Sequence, residues 1–165
     1  MMKFFKNLNK TMSTKTIKLT DDAAKKLHKS SPEWKEILEE NYGKDFFTPK
    51  KITDRVKSFD DACKIKGIEP ESLFNKKDTK DEIAYKKIKV IAEVLNEGWT
   101  PDWSNSNQYK YTPYFKASGS GFSDCVYARW STVTGVGSRL CYKSSELAIY
   151  AGKQFEDIYN DFLTL

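Results

Sequence analysis

The sequence predicts an α+β fold: a three-stranded antiparallel meander packed by two amphipathic helices, with a helical N-terminal extension. Three observations carry this expectation. Ala84, Ile88, Ile91, Ala92 and Leu95 recur at spacings of three and four, as do Ala148, Ala151, Phe155, Ile158 and Phe162, so two helices each carry an apolar stripe. Between them Tyr109, Tyr111 and Phe115 alternate with Lys110, Thr112 and Lys116, the period-two pattern of a strand. Glycine turns then punctuate a segment rich in aromatic and β-branched residues. Two stripes covering one sheet face let every apolar surface be buried.

In chain order, residues 1–19 form a lysine-rich arm without a sustained period, expected to be flexible. Thr20 ahead of Asp21 and Asp22 reads as an N-cap with acids in the first turn, opening a helix that ends near Lys29. Ser31, Pro32 and Glu33 open a second helix, with Trp34, Ile37 and Leu38 on one face and Gly43 as its stop. Asp45 to Lys57 reads as an irregular connector, because Pro49 confines Thr48 to extended backbone and the apolar spacing fits neither period. Ser58 caps a third helix carrying Phe59, Ala62 and Cys63, Gly67 ends it, and a turn follows at Glu69-Pro70. Residues 20–78 are therefore an extension of short helices and 79–165 an α-β-β-β-α core, with 20–165 expected to form one compact unit.

The core opens on Thr79-Lys80-Asp81-Glu82, a capping box, and its first helix closes at Gly98. Residues 99–108 have the turn chemistry of a loop. Tyr109 to Lys116 is the first strand, in which Pro113 demands an edge position or a bulge. Ser118 to Gly121 makes a turn, Phe122 to Thr134 the second strand, Gly135-Val136-Gly137 a hairpin turn, and Arg139 to Lys143 the third strand. Ser144 or Ser145 caps the last helix. Gly152 in its middle costs about 1 kcal/mol relative to alanine, which a close approach to the sheet would rationalise.

The formal charge of +5 belongs to the arm. Lys3, Lys6, Lys10, Lys15 and Lys18 face no acid in the first twenty residues, and Asp21 to Leu165 is neutral. Met12 would also serve as a translation start, which would remove three of these lysines. No window holds the roughly 18 to 20 apolar residues of a membrane helix, and Lys6 interrupts the short apolar start that a signal peptide would need. The chain is therefore expected to be intracellular. Cys63, Cys125 and Cys141 are odd in number and far apart, which fits a reducing compartment and no disulfide scaffold. With a single histidine, His28, the chain lacks the ligands of a structural zinc site, and no metal or other cofactor is expected.

Catalytic patterns are equally thin. His28 lies among lysines near the end of a short helix, where a solvated imidazole is ordinary, so Ser-His-Asp and Cys-His catalysis are not expected. The acidic pairs are adjacent in sequence on helices, so their carboxylates point apart. Gly119/Gly121 and Gly135/Gly137 join predicted strands and read as hairpin turns, while Arg139 keeps an anion site in play. No enzymatic activity is predicted.

The distinctive feature is aromatic density. Trp99, Trp103, Tyr109, Tyr111, Tyr114, Phe115, Phe122, Tyr127 and Trp130 place nine of the 23 aromatic residues within 32 positions. Tyr114 and Tyr127 are out of phase with their neighbours, so some rings must face away from the helices. These rings either lie as core under the 99–108 loop or form a recognition surface. The candidate ligand- or partner-binding set is Trp99, Trp103, Tyr111, Tyr114, Tyr127, Arg129 and Arg139. Its candidate partners are a protein, a nucleotide-like small molecule, or single-stranded nucleic acid stacked on the rings beside Lys110, Lys116 and Arg129. A homo-oligomer is also compatible.

Several segments resemble a family of small proteins from phages and prophages of gut Bacteroidetes. They are Leu95-Asn96-Glu97-Gly98-Trp99, Pro101-Asp102-Trp103, Lys110-Tyr111, Pro113 to Phe115, Gly137 to Cys141, Tyr150 to Asp157 and, upstream, Ile52 to Lys57. The resemblance covers about residues 45–165. It implies a phage origin and action in the host bacterial cytoplasm, with the virion as the alternative location, and it brings no established activity. The expected function is a non-enzymatic phage protein that captures a host protein or a nucleotide-like ligand through its aromatic sheet and loop. The alternatives are a virion or assembly component whose lysine arm orders against neighbours, and a single-stranded nucleic-acid binder.

Overall fold

The computed structural model describes residues 18–118 and 121–164, which fall into two compact units divided between Pro49 and Lys50. The first unit holds α1 (Asp21–Ser30), α2 (Pro32–Tyr42) and the single turn α3 (Lys44–Phe47). The Thr20 hydroxyl accepts the Ala23 N–H at 3.3 Å, Pro32 occupies the start of α2, and Ala24 and Leu38 are buried. His28 is not the solvated imidazole that its lysine neighbours suggest. Its Nε2 lies 2.9 Å from Glu39 Oε1, and its ring stacks on Phe47 at 4.0 Å and 5°. Both partners come from other helices, beyond the local window a sequence reading inspects. The histidine contact, first among the influences on Glu39, holds that carboxyl below the ordinary glutamate range.

The second unit begins with α4 (Ile52–Arg55) and α5 (Phe59–Lys66), so the connector expected to be irregular instead holds two single-turn helices, α3 and α4. Asp61 completes a capping box with Ser58 at the start of α5, and Gly67 ends it in the left-handed conformation. A 3₁₀ turn at Pro70–Leu73 leads to α6 (Lys80–Asn96), whose Thr79 N–H donates to Glu82 at 2.8 Å. α6 buries Ala84, Ile88, Ile91 and Leu95, the predicted stripe. Its end differs by one residue from expectation, because Glu97 takes the left-handed position at φ 50° and Gly98 follows at φ 83°.

The sheet has two strands, β1 (Lys110–Ser118) and β2 (Gly121–Trp130), which corrects the three-stranded meander. They pair antiparallel with Lys110 opposite Trp130, Pro113 opposite Tyr127 and Phe115 opposite Cys125, and the ladder shifts between Lys116 and Ala117. The segment expected as a third strand forms a 3₁₀ turn at Ser138–Leu140 and a single bridge between Tyr142 and Tyr111. That bridge is well made: the Tyr111 N–H donates to Tyr142 O at 3.0 Å and the Tyr142 N–H to Tyr111 O at 2.7 Å.

The register explains why the pairing stops there. Along a strand, alternate residues turn their backbone groups to the same edge, so Pro113 follows Tyr111 on that edge and offers no N–H. In the opposite direction Ser144 is already the N-cap of the next helix, accepting the Leu147 N–H at 3.3 Å. Without a third strand, Gly135 to Gly137 is no hairpin. Thr134 Oγ1 instead accepts the N–H groups of Val136 and Gly137 at 3.1 and 2.9 Å. Of the other glycine turn, residues 119 and 120 lie outside the described residues.

The expected last helix is two, α7 (Ser145–Gln154) and α8 (Glu156–Leu163), broken where Phe155 takes φ −119° and ψ 32°. α7 lies across both strands, α8 touches β2, and α6 packs against α8 and α5, so the helices do not share one sheet face as equals. Gly152 explains itself here. A Cβ on it would stand 2.2 Å from Cys125 Sγ, 3.1 Å from Pro113 Cβ and 3.2 Å from Phe115 Cζ, the close approach to the sheet that its position in a helix suggests. The Tyr150 hydroxyl donates to Thr53 O at 2.8 Å and Val56 O at 2.7 Å, tying α7 to the start of this unit.

Candidate binding cleft and aromatic surface

Lys110 organises the loop that precedes it. Its side chain is fully buried, and its ammonium donates to the backbone carbonyls of Asp102, Asn105 (3.3 Å), Gln108 (2.7 Å) and Ser131 (2.9 Å). The same nitrogen stands 5.2 Å over the Trp103 ring. A buried cation demands such compensation, and a loop folded around one gains a fixed centre. Further bonds stiffen the loop: Asp102 accepts from the Ser104 hydroxyl at 2.6 Å and its N–H at 2.9 Å, which lower the Asp102 pKa. The Trp103 Nε1–H donates to Ser138 Oγ at 2.7 Å and joins the loop to the second 3₁₀ turn.

Between that turn and α6 lies a cleft of about 310 Å³, lined by Lys89, Glu93 and Asn96 from α6, Trp99 to Pro101 from the loop, and Ser138 with Arg139. Lys89, Glu93 and Asn96 share a face because they are spaced four and three apart. The base of the cleft is clamped. Buried Asn96 donates to Cys141 O at 2.7 Å and accepts the Lys143 N–H at 2.9 Å, so one side chain holds both walls. Glu93 is ion-paired with Lys66, the Lys89 ammonium lies 5.4 Å over the Tyr85 ring, and the Arg139 guanidinium has no hydrogen-bond, ion-pair or ring partner among the described residues. The cleft therefore carries an uncompensated positive charge beside an indole.

Of the seven residues proposed for binding, only Trp99 and Arg139 line this cleft. Trp103 is half-buried beneath the Lys110 ammonium. The remaining four divide between the two faces of the sheet, since directly opposed residues share a face. Tyr111, Tyr127 and Arg129 lie on the face that α7 covers further along, where Tyr111 meets Tyr127 edge-on at 5.5 Å and Arg129 stands 4.7 Å from the Tyr109 ring centre. Tyr114 lies on the opposite face beside Val126 and is 59% exposed. The aromatic residues thus form no single platform. Lys110, counted among the sheet cations available to nucleic acid, is sealed inside the protein, and Lys116 faces Asp124 at 3.4 Å. Lys3, Lys6, Lys10 and Lys15 lie outside the described residues, and Lys18 is exposed.

No family model, curated protein or solved structure matches this chain. Its chemistry must be read from its own groups. All three cysteines are buried, and burial raises each thiol, that of Cys141 to about 11, so they stay protonated at neutral pH. Burial likewise raises Tyr142 and Tyr159, whose hydroxyls meet at 2.9 Å. Among the described residues no group of three His, Cys, Asp or Glu side chains is placed to hold a metal ion.

Sequence reasoning did not find Lys89, Asn96 or Ser138. Lys89 and Asn96 sit on a helix with an ordinary amphipathic pattern, and only the return of residues 138–143 beside α6 turns them into a wall. A buried Asn near the end of a helix otherwise rich in apolar residues was the available signal, because such a group must find partners.

Proposed function

We propose that this chain is a phage-encoded, non-enzymatic binding protein that captures a host protein by accepting one of its strands on the open edge of β2. The observation that carries this reading is the state of that edge. Because Tyr111 turns its backbone groups away from β2, Lys110, Thr112 and Tyr114 turn theirs toward it, and their opposites Trp130, Ala128 and Val126 are consumed by the ladder. The backbone N–H and C=O groups of Tyr127 and Arg129 therefore point outward, and among the described residues they make no hydrogen bond. Such a row is a template for an added strand.

The side chains there suit recognition. Tyr127 is 42% exposed, and Arg129 with Tyr109 extends the same face; tyrosine and arginine are the residues that anchor interfaces. The phage origin rests on the resemblance over residues 45–165. The non-enzymatic character is supported by the protonated, buried thiols.

The test uses the immobilised full chain in bacterial lysate with chemical cross-linking. Tyr127→Pro removes an outward N–H while leaving the ladder to β1 intact, and is expected to abolish capture, whereas Arg139→Ala leaves it unchanged. Capture by Tyr127→Pro at the wild-type level would rule out strand addition.

A further inference from the structure

We infer that the cleft between α6 and the Ser138–Leu140 turn binds a small aromatic phosphate, the chemistry of a mononucleotide. This inference stands apart from strand capture, since the two sites share no residue. Four features specify the ligand.

The volume, about 310 Å³, lies at the small end of the range for ligand pockets and admits one ring system with one charged group. Trp99 supplies an aromatic wall for a planar ring. Arg139 brings a cation with no partner among the described residues, and the Lys89 ammonium, 5.4 Å over the Tyr85 ring, has no counter-ion there, while the carboxylate of Glu93 is neutralised by Lys66. A phosphate monoester carries about −1.5 to −2 charges at neutral pH and supplies the counter-ion that both cations lack, whereas a neutral or cationic ring would supply none. Finally, the Ser138 oxygen accepts from Trp103, which leaves its hydroxyl proton to donate into the cleft.

The walls are also fixed before any ligand arrives. The Asn96 amide is bonded at both ends to the 141–143 segment, and Trp103 is held between Ser138 and the Lys110 ammonium. Binding therefore requires little ordering of the protein.

Calorimetric titration of the full chain tests this with the four common nucleoside monophosphates, and with adenosine and inorganic phosphate as separate arms. At least one monophosphate is expected to bind saturably at one per chain, with adenosine and inorganic phosphate each weaker. Arg139→Ala is expected to weaken that monophosphate at least about tenfold, the loss of one charge-assisted hydrogen bond, and Arg139→Lys to recover part of it. Trp99→Leu should weaken the monophosphate and leave inorganic phosphate unchanged, while Tyr127→Pro should change neither.

Three results would each overturn the proposal: no saturable binding of any monophosphate at millimolar concentration, inorganic phosphate binding as tightly as every monophosphate, or Arg139→Ala binding as the wild type. Arg139 is exposed, so its replacement leaves the core intact and decides the matter even if Trp99→Leu fails to fold.

Discussion

Gly152 shows how much of this packing rests on the absence of one methyl group. Replacing a mid-helix glycine by alanine ordinarily gains about 1 kcal/mol, since glycine loses more backbone freedom on folding. Here the new Cβ would lie 2.2 Å from Cys125 Sγ, with Pro113 Cβ at 3.1 Å and Phe115 Cζ at 3.2 Å, each a few tenths of an ångström inside ordinary contact. Because α7 must then lift from the sheet, Gly152→Ala is expected to destabilise the protein by about 1–3 kcal/mol, the range for an overpacked core. Urea unfolding of Gly152→Ala, Cys125→Ala and the double variant checks this. If the sulfur is the obstacle, the double variant recovers part of the loss, a coupling that independent sites would not show. The expectation was legible in the sequence because a glycine inside an apolar stripe calls for a close neighbour. Its partner was not, since Cys125 lies on a strand whose register no local pattern fixes.

At the scale of elements, the 99–108 loop is built the other way round, around a group rather than a gap. Four carbonyls converge on the Lys110 ammonium. Lys110→Met would fill much of the same volume and leave those carbonyls without their donor, at about 1–3 kcal/mol for each that water cannot reach. The expected outcome is a loss of more than about 2 kcal/mol, together with faster amide exchange over residues 100–108. Lys110→Arg should not rescue it, because a planar guanidinium cannot address a cage that fits a compact ammonium.

The alternation of residues 109–116 predicted β1 correctly while disguising Lys110. Period two assigns a residue to a face without saying whether a loop closes over that face. The third strand failed for a related reason. Arg139 to Lys143 has acceptable strand composition, but strand pairing depends on what the neighbouring edge offers, and Pro113 withdraws the next donor after Tyr111. The helices of the core were legible throughout, except that the stripe from Ala148 to Phe162 concealed the break at Phe155. An apolar period survives a local kink when both halves remain buried.

At the scale of the molecule, the division at Pro49 separates units of very different means. The first has Ala24 and Leu38 as its buried apolar residues among those described, whereas the second contains an extended cluster from Ile52 to Tyr159. Small units bury too little to be stable alone. Lys50 and Lys51 are exposed at the junction, so limited trypsin digestion is expected to cut there first and release a fragment from about residue 51 onward. That fragment should retain cooperative thermal unfolding. Its loss of cooperativity would mean that the first unit completes the core. The neutral charge of residues 21–165 means that the two proposed sites, at Arg139 and at Tyr127 with Arg129, would have to recognise their partners by local groups rather than by a field spread over the surface.

Under the proposed strand capture, the proline at position 113 would also limit how many partners the ribbon recruits. A two-stranded ribbon with two usable sides could pass the pairing on from molecule to molecule and grow into a fibre. Pro113 and the Tyr142 bridge interrupt one side, so under the proposed strand capture a single incoming strand is the expected stoichiometry.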